Sequence, residues 1–255
     1  MGANMEVTKG VVIVGGLGTR LKPMTNVINK HLLPVWKYPM VYYPLMALAD
    51  AGVDDVIVVT GGNNPGGFLE LLRDGSEFGF KQLYFAYQHA PRGIADALRC
   101  AERFVNGEPC VLMLGDNIIG GSIKEYVDNF REQEAGMRVL LKRVSDPERF
   151  GVPVISGGKI TAVIEKPDDP PSDHAIIGVY MMDGNVWGIL PDLPLSERNQ
   201  YEITDVQNAY IERGLLEYDL LEHEWSDAGT VDSLRAASEL ALRCFSGTDE
   251  AMAPA

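Results

Sequence analysis

The chain has 255 residues, 46% of them hydrophobic and 23% charged, with a net charge of −14. That is the size and balance of one ordinary globular domain. It excludes a membrane-spanning helix, since no apolar run approaches the roughly 20 residues such a helix needs. It also argues against nucleic acid as the main partner, because no basic tract is present to neutralise phosphates. A small phosphate ligand held by a few local cations remains compatible.

The N-terminus, MGANMEVTKG, lacks a basic region followed by an apolar stretch and so predicts no secretory signal. Glu6 stands where a myristoylation site needs Ser or Thr. Residues 10–14, GVVIV, read as a strand. The pattern then predicts a helix over 39–52 stopped by Gly52, a strand over 56–60, a helix over 66–75 and a strand over 83–88. A helix over 93–105 follows, with Ile94, Ala97, Leu98 and Ala101 on one face. Next come a strand over 110–117 ending in a polar turn, a helix near 122–134 and a strand over 137–144. Continuous apolar strands alternating with helices predict a mostly parallel sheet covered on both faces.

Past Asp146-Pro147 the pattern changes. Residues 151–182 read as shorter strands with turns at 156–158 and 167–173, a meander appended to the sheet. Helices are predicted over 203–214 and 233–245, and a disordered tail over 246–255. Cys100, Cys110 and Cys244 form no CxxC pair and read as thiols of a reducing cytoplasm. No internal repeat or long linker divides the chain.

After the first strand comes Gly15-Gly16-Leu17-Gly18-Thr19-Arg20. A glycine-rich turn there lets backbone N–H groups converge on anionic oxygens. It is neither a Walker A loop nor a dinucleotide fingerprint, for which Leu21 would have to be glycine. Asp116 follows a buried strand, and the carboxyl ends of parallel strands are where ligands bind.

GGLGTRL (15–21), NKHLLPV (29–35), YPMVYYP (38–44), GIADAL (93–98), LGDN (114–117), DPERFGV (146–152), EKP (165–167), YEITD (201–205) and WSDAGT (225–230) occur in this order. The series resembles the nucleotide-sugar pyrophosphorylases over nearly the whole chain, most closely the short glucose-1-phosphate thymidylyltransferase branch. The resemblance implies a single Rossmann-like α/β domain over 1–245. About 9–145 would be the nucleotide part and about 146–230 an inserted, sugar-binding β region that completes the metal site. It implies condensation of dTTP with glucose 1-phosphate to dTDP-glucose and pyrophosphate. UTP, another sugar 1-phosphate, or a catalytically silent sugar-nucleotide-binding homologue are the alternatives.

Both substrates are anionic, so this reaction needs positioning and charge neutralisation more than a base or nucleophile. The resemblance implies Arg20 and Lys30 on the departing pyrophosphate and Lys166 on the sugar phosphate. It implies Asp116 and Asp227 as ligands of Mg²⁺, which favours carboxylate, phosphate and water oxygens. Gly15, Gly16, Gly18 and Thr19 would hold the nucleotide, and Gln88 and Gly93 would receive the base. A glutamine amide matches the N3–H and carbonyl of thymine or uracil, although an amide can rotate. Glu165 and Glu202 would accept from sugar hydroxyls, with Gly151 and Tyr180 nearby. A homo-oligomer, often a tetramer, acting in the cytoplasm is also implied. Val14, Leu17, His31, Asp96, Ile164, Ile177 and Gln200 depart from the family's commonest pattern, many of them on the sugar side.

Overall fold

A computed structural model describes residues 5–246; the tail beyond Ser246 lies outside the described residues. The strands are β1 (Lys9–Val14), β2 (Pro34–Val35), β3 (Tyr38–Pro39), β4 (Asp55–Gly61), β5 (Gln82–Gln88), β6 (Cys110–Leu114), β7 (Ile118–Ile119), β8 (Met137–Arg143), β9 (Gly151–Ser156), β10 (Lys159–Glu165), β11 (His174–Met182), β12 (Leu216–Leu220) and β13 (Trp225–Ser226). The helices are α1 (Tyr42–Asp50), α2 (Gly66–Leu72), α3 (Ile94–Arg99), α4 (Glu102–Val105), α5 (Lys124–Glu132), α6 (Val186–Ile189), α7 (Ile203–Glu212) and α8 (Val231–Phe245).

One nine-stranded sheet organises the molecule. Its first half is parallel, β5-β4-β1-β6. Strand residues here alternate between two cores: Val12, Val14, Val56, Val58, Val111 and Met113 face one, and Val11, Ile13, Ile57, Val59 and Leu112 face the other. Both faces of β1, β4 and β6 are covered, which is why their central residues are apolar, whereas β5 at the sheet edge keeps Tyr84 and Tyr87 exposed. Leu45 and Leu48 of α1, Phe130 of α5 and Leu240 of α8 close the first face. Leu98 of α3 and Val206 and Tyr210 of α7 close the second. Each fully buried aliphatic side chain contributes about 1.5–3 kcal/mol relative to exposure.

The second half is mixed. β11 runs antiparallel to both β6 and β8, β12 lies parallel to β8, and β9 and β10 form an antiparallel hairpin. Residues 151–182 are therefore built into the sheet rather than appended to it: β11 spans nine residues and pairs directly with β6. N-terminal to Val179 it lies apart from β6 and meets β9 at Ile176↔Gly151. The register with β8 shifts between Ile176 and Tyr180. That bulge opens the sheet beside the end of β6.

Two predicted helices differ in detail. The helix predicted over 93–105 is two short ones, because Cys100 and Ala101 tighten into three-residue turns onto Ala97 and Leu98. The helix predicted from 39 starts at Tyr42, since Tyr38–Pro39 pairs with Pro34–Val35 instead. Among the described residues, no helix is long and apolar enough to cross a membrane.

Candidate active site

Parallel register brings four strand ends to one edge: Val14 lies beside Thr60, Gly61 beside Gln88, and Ile13 beside Leu114. The loop after β1 carries Gly16 at φ +105° and Gly18 at φ +57°, left-handed backbone that favours glycine. A Cβ on Gly18 would fall 2.9 Å from the Thr25 methyl, and Thr25 Oγ1 donates to the Gly18 carbonyl at 2.7 Å. Thr19 and Arg20 begin the short turn that follows, and both are exposed.

Behind the loop, buried Asn29 donates from Nδ2 to the carbonyls of Val14 (3.0 Å) and Gly61 (3.3 Å). Its Oδ1 accepts from the His31 backbone (3.0 Å) and lies 2.8 Å from Nδ1 of the His31 ring. His31 is thus a buried strut between strand ends. Burial, followed by the charge of Lys30, pushes its pKa from 6.5 down to about 3. The unfolded chain takes up this proton near pH 6.5 and the folded chain only near pH 3. The His31 contribution is therefore complete above about pH 6.5 and lost as the pH falls through that window. Chemical denaturation between pH 6 and 4.5 should show stability falling by up to about 1.4 kcal/mol per pH unit. His31→Gln should flatten that slope; an equal slope in both proteins would remove His31 as its source.

Asp116 follows β6 and takes Lys30 Nζ on Oδ2 at 2.5 Å, both side chains being mostly buried. Burial, the largest single influence, would raise the Asp116 carboxyl, but the charge of Lys30, joined by smaller contributions from His31 and from the Lys30 and Asn117 hydrogen bonds, holds the group below the usual carboxylate range. Asn117 Nδ2 donates to Asp116 Oδ1 (3.1 Å), and Asn117 Oδ1 accepts from Trp225 Nε1 (2.7 Å) and the Gly178 backbone (3.0 Å). One buried amide therefore ties Asp116 to the bulge of β11 and to the WSDAGT segment.

That segment brings Asp227 into the same cleft. Arg149 Nη2 meets Asp227 Oδ2 at 2.5 Å, and Arg149 Nη1 meets Asp146 at 2.6 Å. Arg20 lies against the same turn: a Cβ on Gly229 would fall 3.0 Å from Arg20 Nη2 and 3.2 Å from Asp227 Oδ2. Gly229→Ala should displace the mobile guanidinium head rather than the backbone. Turnover is expected to fall about tenfold or more with the melting temperature nearly unchanged. Full activity would mean that the contact does not matter.

At the end of β10, Glu165 Oε1 meets Lys166 Nζ (3.1 Å) and Arg198 Nη2 (3.0 Å), and Oε2 accepts from Thr204 Oγ1 (2.6 Å). Burial would raise the Glu165 carboxyl, but the Thr204 hydroxyl and the Lys166 and Arg198 charges hold it low. Lys166 sits at φ +46°, a costly backbone for a non-glycine residue. Arg198 also pairs with buried Glu202 at 2.9 Å, so one guanidinium joins the two glutamates. The Tyr180 hydroxyl is pushed well above its ordinary range by burial, then by Glu165 and Asp116.

Arg20, Asp116, Gly151, Glu165, Lys166, Tyr180 and Asp227 line one cavity of about 150 Å³. Gly15, Gly16, Gln88 and Gly93 line an adjoining one of about 180 Å³, and Ile94 borders both. Lys30 reaches the first through Asp116, and Glu202 stands behind Arg198. Gly93 has a structural reason to be glycine: at φ +101° its Cβ would lie 2.4 Å from the Tyr201 carbonyl. Sequence reasoning passed over Arg149, Asn117 and Arg198 as site residues, although the first two lie in stretches singled out for other residues and Arg198 stands just before a third. The signal that finds them is pairing across 33 to 108 residues of chain.

The family model for nucleotidyl transferases matches residues 9–243. The glucose-1-phosphate thymidylyltransferase of Neisseria gonorrhoeae is 40% identical over 235 residues, which is 90% of this chain and 81% of the relative. That of Mycolicibacterium smegmatis is 38% identical over 239 residues, 91% and 81%. A Bacillus anthracis chain described as a glucose-1-phosphate thymidylyltransferase, crystallised with sucrose, superposes with a TM-score of 0.88 at 42% identity, covering 92% of this chain and 95% of its own. A UDP-glucose pyrophosphorylase complexed with UDP-glucose shares the fold at 22% identity and a TM-score of 0.81, covering 93% and 99%. A glycine loop, two carboxylates and several cations around one cleft thus coincide with sequence kinship along nearly the whole chain. The chain belongs to the nucleotidyl transferase family, alongside the glucose-1-phosphate thymidylyltransferases.

Proposed function

We propose that the chain transfers the thymidylyl group of dTTP to glucose 1-phosphate, releasing pyrophosphate, with Mg²⁺ as cofactor. One observation carries most weight: a chain of net charge −14 gathers Arg20, Lys30, Arg149, Lys166 and Arg198 around one small cleft. Two anionic substrates need such a cluster, because their mutual repulsion is the main obstacle to reaction.

The sugar-phosphate oxygen attacks the α-phosphorus in line with the departing pyrophosphate. The Gly15–Thr19 backbone cradles the triphosphate. Arg20 and Lys30 neutralise charge that builds on the leaving group, Arg20 with a planar fork suited to phosphate oxygens. Lys166 orients the attacking phosphate from its constrained backbone. Glu165 and Glu202, acceptors only when ionised, take hydroxyl donors of the sugar, with Gly151 and Tyr180 forming the floor.

Asp116 and Asp227 suit Mg²⁺, which takes one or two carboxylates and completes its shell with phosphate and water. Each has a cation on one oxygen, and the two line the same cleft. When bound, the ion would supply positive charge to the phosphate oxygens. Residues about 9–145 serve the nucleotide and about 146–230 the sugar. A cytoplasmic homo-oligomer, as a tetramer, completes the proposal.

The test is a grid of nucleoside triphosphates and sugar 1-phosphates scored for pyrophosphate release, with and without chelator. Release with dTTP and glucose 1-phosphate that chelator abolishes is the expected outcome. Release with a different pair only would move the substrate. Folded protein that binds nucleotide but never releases pyrophosphate would overturn the proposal in favour of a silent binding protein.

A further inference from the structure

Gln88 ends β5 almost fully buried, and its amide is held from one side. Nε2 donates to Asp96 Oδ2 at 2.8 Å and to the Gly93 carbonyl at 3.1 Å. Both partners are acceptor oxygens, one of a carboxylate and one of a backbone carbonyl. Rotating the amide would drive Oε1 against two acceptors and leave both unsatisfied. The orientation therefore follows from chemistry as well as distance. Oε1 is left on the other side, 3.1 Å from where a Cβ on Gly15 would stand, at the cavity that Pro91 and Gln200 also line.

Asp96 is itself held. Arg99 Nη1 lies 3.8 Å from Asp96 Oδ1, while the same guanidinium stacks 4.2 Å over the Tyr201 ring and donates to the Leu190 carbonyl. The carboxylate is thus anchored on one oxygen and grips Gln88 with the other.

We propose that Asp96 is a specificity-determining residue: by holding the Gln88 amide nitrogen it leaves only an acceptor for the base. Where the amide oxygen faces N3, the cleft then favours thymine or uracil, whose N3 carries a hydrogen, over cytosine, whose N3 is an acceptor and whose nearest donor is the displaced C4 amine. This rests on the proposal that Gln88 receives the base. Asp96 acts through Gln88 and is a positioning residue. An asparagine at 96 could accept from Nε2 as the carboxylate does, or donate to a rotated Oε1, so it would free the amide to turn. An alanine would leave the Gly93 carbonyl as the sole restraint.

The experiment compares dTTP and dCTP with wild type, Asp96→Asn and Asp96→Ala. It measures kcat/KM at saturating glucose 1-phosphate and, separately, equilibrium binding by calorimetry on the full chain. Wild type is expected to disfavour dCTP by about a hundredfold or more. In Asp96→Asn the dCTP-to-dTTP ratio is expected to rise about tenfold, with a smaller rise in Asp96→Ala. A folding or packing defect would lower both nucleotides alike. Parallel loss for both, or ratios within about twofold of wild type in both variants, would overturn the proposal. If wild type binds nucleotide without releasing pyrophosphate, the transfer reaction falls while the binding ratios still decide the role of Asp96.

Discussion

Asp116→Asn is expected to lower turnover by about a thousandfold or more, the scale associated with losing a charge that acts on a transition state. The substitution preserves shape and keeps an oxygen for Lys30 to donate to. It removes the charge that a cation in the cleft would meet, and one of only two carboxylates proposed to hold Mg²⁺. The fold should survive at a cost of about 1–3 kcal/mol, since Lys30 keeps its hydrogen bond but loses its counter-charge, and Asn117 Nδ2 loses its acceptor. Steady-state pyrophosphate release with a melting curve on the same sample separates the two effects. Near-normal turnover would remove Asp116 from metal binding.

Arg20→Ala is the complementary case, with an expected fall of about a hundred- to a thousandfold in kcat. Arg20 is exposed, so stability should change by about 0.5 kcal/mol or less. Because its proposed partner is charge that accumulates as pyrophosphate departs, the loss should appear in kcat more than in the KM for dTTP. Arg20→Lys should recover only part of the rate, a point charge being a poorer match to two oxygens than a planar fork. An unchanged kcat, or an effect confined to KM, would take Arg20 off the leaving group.

The parallel half of the sheet was legible because strands buried on both faces must be apolar along their centres, and β1, β4 and β6 are. What escaped was assembled at long range. β11 lies between β6 and β8 although a hairpin and two turns intervene in sequence, and nothing local announces a nine-residue strand there. β12 is short, borders the sheet and mixes polar with apolar residues, so it has no clear period. In the site, single residues of distinctive motifs could be named, but not their partners. Arg149 reaches Asp227 across 78 residues and Asn117 reaches Trp225 across 108. His31 could be noticed as unusual after Lys30, yet its burial against Asn29 depends on where β4 ends. The departure at Asp96 likewise acquires meaning only when the turn after β5 brings Gln88 back onto α3.

The most direct test of transfer to the sugar phosphate is ³¹P NMR of the full chain with dTTP, glucose 1-phosphate and Mg²⁺. Equal growth of pyrophosphate and of a paired diphosphate signal from dTDP-glucose, at the expense of both substrates, is the expected result. Formation of dTDP and orthophosphate with glucose 1-phosphate untouched would contradict the account, because the nucleotide would then be hydrolysed rather than transferred.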